Sequence, residues 1–304
     1  MNLHLLRVFL AVVEAQGFSR AAEGLHVSQS AVSKAVRELE RLLDLPLIER
    51  IGADGKAQRG LPLTDHGRAL FEHARAIFAL ERIAIEDVRD RVELRQGRLR
   101  IGASTTVAAY WLPPALGAFV RGHPHLETEL VVGNTEEIGQ AVIDCRVDVG
   151  FVEGAVEDAR IAATAWRTEP LCLIAAADSR LGLARRPSRQ DLSRQTWLLR
   201  ETGSGTRQVA QSLFARRGIV PARVVEIGSN EAIARAVAAG AGIALLPQTV
   251  VADLIAMRRV RAVALADAAD TAPPIRPLYR LELRNRPRSP ALQAFLAEDE
   301  ANAA

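Results

Sequence analysis

The chain has 304 residues, 49% of them hydrophobic and 25% charged, with a formal net charge of +3 and an isoelectric point near 9.3. That length suits two domains and a small connecting element. The composition is that of globular protein, and no apolar run reaches the length of a membrane span. Residues 1–60 hold eight Lys/Arg against seven Asp/Glu, so bulk charge does not predict nucleic-acid binding there; position has to. The only lysines are Lys34 and Lys56. Cys145 and Cys172 lie in apolar patterns and are expected to be small core residues, not a bridge or a metal site.

The opening stretch, MNLHLLRVFLAVVEA, is interrupted by Arg7 and Glu14 and has no basic leader. It is expected to be an amphipathic helix, not an export signal, which places the chain in the cytoplasm. Leu5, Leu6, Phe9, Leu10, Val12 and Val13 are spaced for one buried face, and Gly17 is the expected C-terminal cap. Ser19 is the expected N-cap of a short helix through Ala21, Ala22 and Leu25. Ser28 is expected to cap a third helix reaching about Leu43, before the Leu45-Pro46 break.

That third helix carries two stripes. Val32, Ala35, Val36, Leu39, Leu42 and Leu43 recur at helical spacing and are expected in the core. Ser30, Ser33, Lys34, Arg37 and Arg41 recur opposite them, with Gln29 leading. A merely solvated face would usually be filled with long Glu and Lys side chains. Short hydroxyls instead let the backbone approach something closely, and Gln, Ser, Lys and Arg reach base edges and phosphates. Two helices joined by a tight turn, the second led by such residues, predict a helix-turn-helix. Beyond Arg50, the Asp54-Gly55 pair signals a hairpin, with Lys56 and Arg59 on its outgoing side, a wing suited to phosphate or minor-groove contact.

FLAVVEAQGFSRAAEGLHVSQSAVSKAVRELERLLDLPLIER followed by LTDHGRAL resembles the winged helix-turn-helix of the LysR-type transcriptional regulators, continuously over about the first seventy residues. Ser30 stands where the family commonly has proline, and the stretch between Arg50 and Leu63 is longer than usual. The resemblance implies a DNA-binding set of Ser19, Ser28, Gln29, Ser30, Ser33, Lys34 and Arg37, with Arg50 and Lys56 on the backbone. Lys34 suits either a base or a phosphate.

From Thr64, an expected N-cap, to about Leu94 the chain reads as one helix spanning roughly 45 Å. Leu70, Phe71, Ala74, Ile77, Phe78, Ala84, Ile85, Val88 and Val92 form its apolar stripe. It is either a core helix of the next domain or a linker that pairs with a second subunit, as the family implies, ending at Gln96-Gly97.

From Arg98 onward short strands alternate with helices. The expected strands are RLRIGA, ETELVVG, DVGFVE, LCLIAAA, TWLLRE, RVVEIG, GIALLP and YRLELR. Helices are expected over Thr135–Cys145, over Thr206–Arg217 closed by Gly218, and over Asn230–Ala239 closed by Gly240. This alternation predicts an α/β domain with a largely parallel sheet. Polar residues follow the strands: Ser104, Thr105 and Thr106; Asn134 and Thr135; Thr202, Gly203, Ser204 and Thr206; Ser229 and Asn230. Any one of these is explained as a helix cap. Ligands of open α/β sheets, however, bind beyond the carboxyl ends of strands, and hydroxyls beside helix N-termini suit an anion.

This half is also similar to the effector-binding domain of LysR-type regulators, two lobes of periplasmic-binding-protein type. GASTT, VGNTEEI, DVGFVEG and RETGSGTR bring it nearest the CysL- and CbbR-like branch, regulators of sulphur assimilation and carbon-fixation operons. The expected fold is thus α/β overall. A winged helix-turn-helix occupies 1–63, a linker or dimerisation helix 64–97 and a two-lobed effector domain 98–304. Lobe I takes about 98–168 and 269–304, and lobe II about 169–268. The expected partners are promoter DNA, a small anionic effector (a sulphur oxyanion or a phosphorylated or carboxylated metabolite), further copies in a homodimer or homotetramer, and RNA polymerase, but no membrane. An effector touching both lobes is expected to favour their closed arrangement. No cofactor or metal is implied. An enzyme is disfavoured: Gly203-Ser204-Gly205-Thr206-Arg207 lacks the lysine of a nucleotide P-loop, and no GxGxxG or G-x-S-x-G occurs. His123-Pro124-His125 is a poor metal pair, and no nucleophile–base arrangement can be argued from spacing. A free-standing solute-binding protein would need an export signal and no DNA-binding head.

Overall fold

The computed structural model describes residues 2–49, 61–92, 97–154, 156–183, 187–264 and 274–302. The expected wing residues Arg50, Asp54, Gly55, Lys56 and Arg59 lie outside these, as does Gln96. The chain divides into two compact units, Met1–Arg89 and Asp90–Ala304.

The first unit is helical. α1 (Leu3–Glu14) buries all six of its expected core residues together with Val8. The left-handed position after it falls on Gln16 (φ 52°), not on Gly17 as expected. The Gln16 amide makes this tolerable, because Nε2 donates to the Val13 carbonyl at 2.9 Å. α2 (Phe18–Gly24) begins at Gly17 with no side-chain cap, so Ser19 lies inside its first turn and caps nothing. α3 (Gln29–Leu43) is capped by Ser28, whose Oγ accepts from the Ala31 N–H at 3.2 Å. Val32, Val36 and Leu39 are buried against α1 and α2, Ala35 and Leu43 partly, whereas Leu42 is exposed, contrary to its place in the stripe. The flanks of the wing come together antiparallel at Ile48 and Leu63.

α4 (Asp65–Val92) is the long helix, begun by Thr64, whose Oγ1 accepts from the Gly67 N–H at 2.9 Å. Its first half differs from expectation. Ala74 is fully buried, and Leu70, Phe71, Ile77 and Phe78 pack with it on Leu5, Leu6, Phe9, Leu10 and Val13. These residues help close the core of the first unit, with Leu70, Phe71, Ile77 and Phe78 left half-buried. Arg7 fastens the pair, lying 4.6 Å over the Phe78 ring and ion-paired with Glu81. Further along, Leu80, Ile85 and Val88 are exposed.

The second unit is built on a mixed sheet. β1 (Arg98–Ser104), a π-helical turn (Val107–Trp111), α5 (Pro113–Gly122), β2 (Glu127–Gly133), α6 (Thr135–Ile143) and β3 (Val149–Glu153) follow in order. β1 pairs parallel with β2 and β3. β4 runs from Ile161 to Ala176, ten residues earlier than the LCLIAAA reading began. Then come α7 (Arg180–Leu183), α8 (Arg189–Ser193), β5 (Thr196–Leu199), α9 (Gly205–Arg217), β6 (Arg223–Glu226), α10 (Asn230–Ala238), β7 (Ala244–Pro247), α11 (Gln248–Ala256), an unforeseen β8 (Val260–Ala262), β9 (Ile275–Leu283) and α12 (Pro290–Ala301).

The expectation of a largely parallel sheet fails because of β4 and β9. They pair antiparallel from Ile161↔Leu283 to Pro170↔Ile275, and β9 also pairs antiparallel with β3. Beyond Leu171, β4 exchanges its partner for β7 and β8. Two sheets therefore share β4. The first, β2-β1-β3-β9-β4, is lobe I; the second, continued from β7 through the Trp197–Ile243 bridge to β5 and β6, is lobe II. Each is covered on both faces by helices, which alternation along a strand permits. In β4, Leu171, Leu173 and Ala175 pack towards α7, α8 and α9, while Cys172 and Ile174 pack towards α10 and α11. In lobe I, Leu99, Ile101, Val149 and Phe151 face α5 and α12, and Val152 and Leu281 face α6.

Candidate functional site

In the first unit, α3 presents its hydroxylic face to solvent. Gln29, Ser30, Lys34 and Arg37 are exposed and Ser33 is half-buried. Ser28 Oγ and Ser30 Oγ lie 3.0 Å apart, and the Arg37 Nε donates to the Ser33 carbonyl at 3.2 Å. One turn later the charge is neutralised: Arg41 pairs bidentately with Glu38 at 2.7 and 3.0 Å, and that bond holds the Glu38 carboxyl below its ordinary range. Lys34 and Arg37 form no ion pair among the described residues. The helix thus offers two cations without an ion pair among the described residues, together with hydroxyls and an amide. Ser19, in the first turn of α2, is exposed; Arg50 and Lys56 lie outside the described residues.

In the second unit the expected effector residues lie where the lobes meet. Ser104, Thr105 and Thr106 end β1 and begin the π-helical turn of lobe I; Asn134 and Thr135 begin α6. Opposite them, Ser204 and Thr206 begin α9 and Asn230 begins α10 in lobe II. Direct bonds join the two sides. Asn230 Nδ2 donates to Thr106 Oγ1 at 2.8 Å and lies 3.4 Å from Thr206 Oγ1. Arg200 Nη1 donates to Thr105 Oγ1 at 3.1 Å, and the Glu136 N–H reaches the Gly203 carbonyl at 3.3 Å. Close approach depends on Gly205: a Cβ there would stand 2.2 Å from the Glu153 carbonyl oxygen. Gly203, at φ 88°, makes the turn into α9.

Other expected residues are already engaged or stand apart. Asn134 caps α6 in a reciprocal box with Glu137. Thr135 Oγ1 donates to the Glu153 carbonyl at 2.8 Å, and Thr202 is exposed. Ser104 Oγ and Asn230 Oδ1 are among the buried polar atoms that have no partner among the described residues. The buried N-terminus of α9 also has no side-chain cap. Orphaned buried polar groups call for an explanation, and an absent ligand is one.

Charged residues at this junction were not foreseen. Glu169 and Arg276 face each other where β4 and β9 leave lobe I. Arg276 donates from Nε and Nη2 to Glu169 Oε2 at 2.9 and 2.5 Å, from Nη2 to Glu153 at 3.2 Å and from Nη1 to Thr206 Oγ1 at 2.8 Å. Glu169 Oε1 accepts from Trp111 Nε1 and from Thr249 Oγ1, each at 2.9 Å. Arg276 lies three residues ahead of the expected strand YRLELR, where a lone arginine reads as a solvent-facing residue. Arg200 and Glu201 follow β5 beside the expected hydroxyls and pair bidentately at 2.7 and 2.8 Å. Burial alone would push the Glu201 carboxyl up. Bonds from Arg200 and from its own backbone N–H, the Arg200 charge and a bond from Asn134 outweigh it and hold the carboxyl below its ordinary range. Among the described residues no cluster suits a metal ion, and no helix is long and apolar enough to cross a membrane.

Comparison with known proteins bears on both units. The protein-family model for the bacterial regulatory helix-turn-helix protein, lysR family, matches residues 3–68, and that for the LysR substrate binding domain matches residues 93–301. The chain is 35% identical over 298 residues to the HTH-type transcriptional regulator YeiE of Escherichia coli strain K12, covering 97% of this chain and 96% of the relative. It is 30% identical to the HTH-type transcriptional regulator CysL of Bacillus subtilis, covering 84% of each. Among solved structures, the regulatory domain of CcmR from Synechocystis PCC6803, in complex with 2-PG, matches with a TM-score of 0.61 at 32% identity, over 68% of this chain and 97% of that one.

Proposed function

The chain belongs to the LysR family of transcriptional regulators, non-enzymatic DNA-binding proteins with an effector-binding domain, and from that premise we propose that a small anion held between the lobes controls how α3 binds promoter DNA. The observation that carries the anion reading is the uncapped, buried N-terminus of α9 beside the strand-end hydroxyls, with Ser104 Oγ left unbonded. A helix N-terminus offers free N–H groups and partial positive charge. The 2-PG bound to the CcmR regulatory domain is a precedent in a similar fold.

On DNA, Gln29, Ser30, Ser33 and Arg37 are assigned to the major groove, with Lys34 on a base or a phosphate. An isothermal titration of the full chain with inorganic sulphate, phosphate and small carboxylates tests the anion reading. Binding of at least one, lost in Ser104→Ala, is expected. No binding of any, with an uncharged ligand stabilising the protein instead, overturns it. The linker and the exposed Leu80, Ile85 and Val88 support assembly as a homodimer or homotetramer.

A further inference from the structure

An arginine fork that binds two oxygens of one carboxylate is the geometry by which proteins recognise oxyanions. Unit 2 has two buried guanidiniums on the line between its lobes, Arg200 and Arg276, and both are occupied. They differ in what occupies them. The partners of Arg276 are themselves buried: the Glu169 side chain is 0% exposed and that of Glu153 4%. Arg200 is 3% exposed, but its partner Glu201 is 27% exposed. Only the second carboxylate can leave its guanidinium for water without being stranded in the interior.

The surroundings of the Glu201 carboxylate are those of a bound anion. Two nitrogens of Arg200 donate to its two oxygens. The third Arg200 nitrogen, Nη1, is fixed across the lobes on Thr105, so the fork stays in place if Glu201 departs. Glu201 also leads directly into exposed Thr202 and Gly203, the residue that holds the Glu136 N–H of lobe I.

We infer that Arg200 is the guanidinium that takes the effector's anionic group, and that Glu201 is a resident carboxylate occupying the fork until an incoming oxyanion displaces it. The inference rests on the anion reading proposed above and deepens it. The ligand group is one that presents two oxygens to a planar fork, a carboxylate or a tetrahedral phosphate or sulphate. Displacement frees the segment running to Gly203, so occupancy changes the bonds between the lobes at the point of binding.

The test is isothermal titration of the full chain at low chloride with sodium sulphate, sodium phosphate and sodium glycolate, separating inorganic from carboxylate sources. Wild type, Glu201→Gln, Arg200→Lys and Arg200→Gln are compared, with circular dichroism confirming the fold of each. Glu201→Gln removes the competing charge and is expected to bind one of these anions about tenfold more tightly, the scale of one charge-assisted pair. Arg200→Lys, which keeps the charge but loses the fork, is expected to bind it more weakly than wild type, and Arg200→Gln not at all. If Arg200→Gln fails to fold, the Glu201→Gln and Arg200→Lys arms decide. An anion that binds wild type but binds Glu201→Gln no more tightly, or binds Arg200→Lys equally well, overturns the exchange while leaving the anion reading in place. No binding of any anion to wild type or Glu201→Gln overturns both.

Discussion

Arg276→Met isolates the buried charge at the junction of the lobes. Methionine fills much of the same space, so the variant removes hydrogen bonds and charge with little cavity. It strips Glu169 of both guanidinium donors and Glu153 of its cation, leaving side chains only 0% and 4% exposed. Breaking a buried pair by removing one partner costs about 3–5 kcal/mol. A domain has only about 5–15 kcal/mol in total. For a unit of this length each kcal/mol lowers the melting temperature by about 2–4 °C, so the unfolding of the second unit should come about 6–20 °C earlier. Arg288→Met is the internal control: its pair with Glu282 is 44% exposed on the arginine side, and such pairs are worth about 0–1 kcal/mol. Thermal unfolding of the full chain, followed by circular dichroism, compares the two. An Arg276→Met transition within about 2 °C of wild type would refute the claim that this guanidinium supports two desolvated carboxylates.

Four further outcomes are expected. Ser33→Ala or Arg37→Ala should weaken specific DNA binding by about 1–3 kcal/mol per base contact, read by electrophoretic mobility shift; unchanged affinity for both removes α3 from the groove. Lys34→Ala should lower affinity for all sequences alike and reduce the salt slope by about one if it holds a phosphate, whereas a sequence-selective loss makes it a base contact. Asp at Leu80 and Ile85 should dissociate oligomers in sedimentation, since these residues are exposed on the single chain; Asp at Ile77 should instead unfold the head, because Ile77 packs on α1. Burial pushes the Glu201 carboxyl up, but Arg200 together with the smaller contributions of its own backbone N–H and Asn134 holds it below its ordinary range. A depressed carboxyl contributes stability above its unfolded value near 4.5 and loses it as pH falls through the folded value. Chemical denaturation below that pH should therefore fall less steeply in Glu201→Gln than in wild type, and equal slopes would contradict the assignment.

The elements legible in the sequence were those whose cause is local. The periodic face of α1, the Ser28 cap and the glycines after α9 and α10 are each set by a few neighbouring residues. Errors arose where distant partners decided. Leu42 continues the apolar period of α3, but the helix ends beside it and nothing covers that side. Ser19 looks like a cap in isolation, yet the chain turns two residues earlier at Gly17. The parallel-sheet expectation followed from alternation, which does not reveal that β9 pairs antiparallel with β3 and β4 or that β4 runs on into the second sheet. Strand-end hydroxyls were visible because they cluster in sequence. The charged frame behind them was not: Glu153, Glu169, Arg200 and Arg276 are scattered along the chain and meet only when the lobes come together.

The bonds across the lobes also bound how an effector can act. Closure on the effector is the expectation for two lobes of periplasmic-binding-protein type, and it requires an open form to draw from. The lobes are joined by Thr105 to Arg200, Thr106 to Asn230 and the Glu136 N–H to Gly203. At about 0.5–1.5 kcal/mol net for each bond, the joined form is favoured by roughly 3 kcal/mol, which leaves an open population on the order of 1%. A ligand that merely closes the lobes shifts that small remainder and leaves the rest of the molecules as they were. A ligand that takes one of the existing partners, as an oxyanion on the Arg200 fork takes the place of Glu201, alters the bonds in every molecule it occupies. Under the proposed exchange, the change that carries a signal is therefore made within the joined lobes, in every occupied molecule.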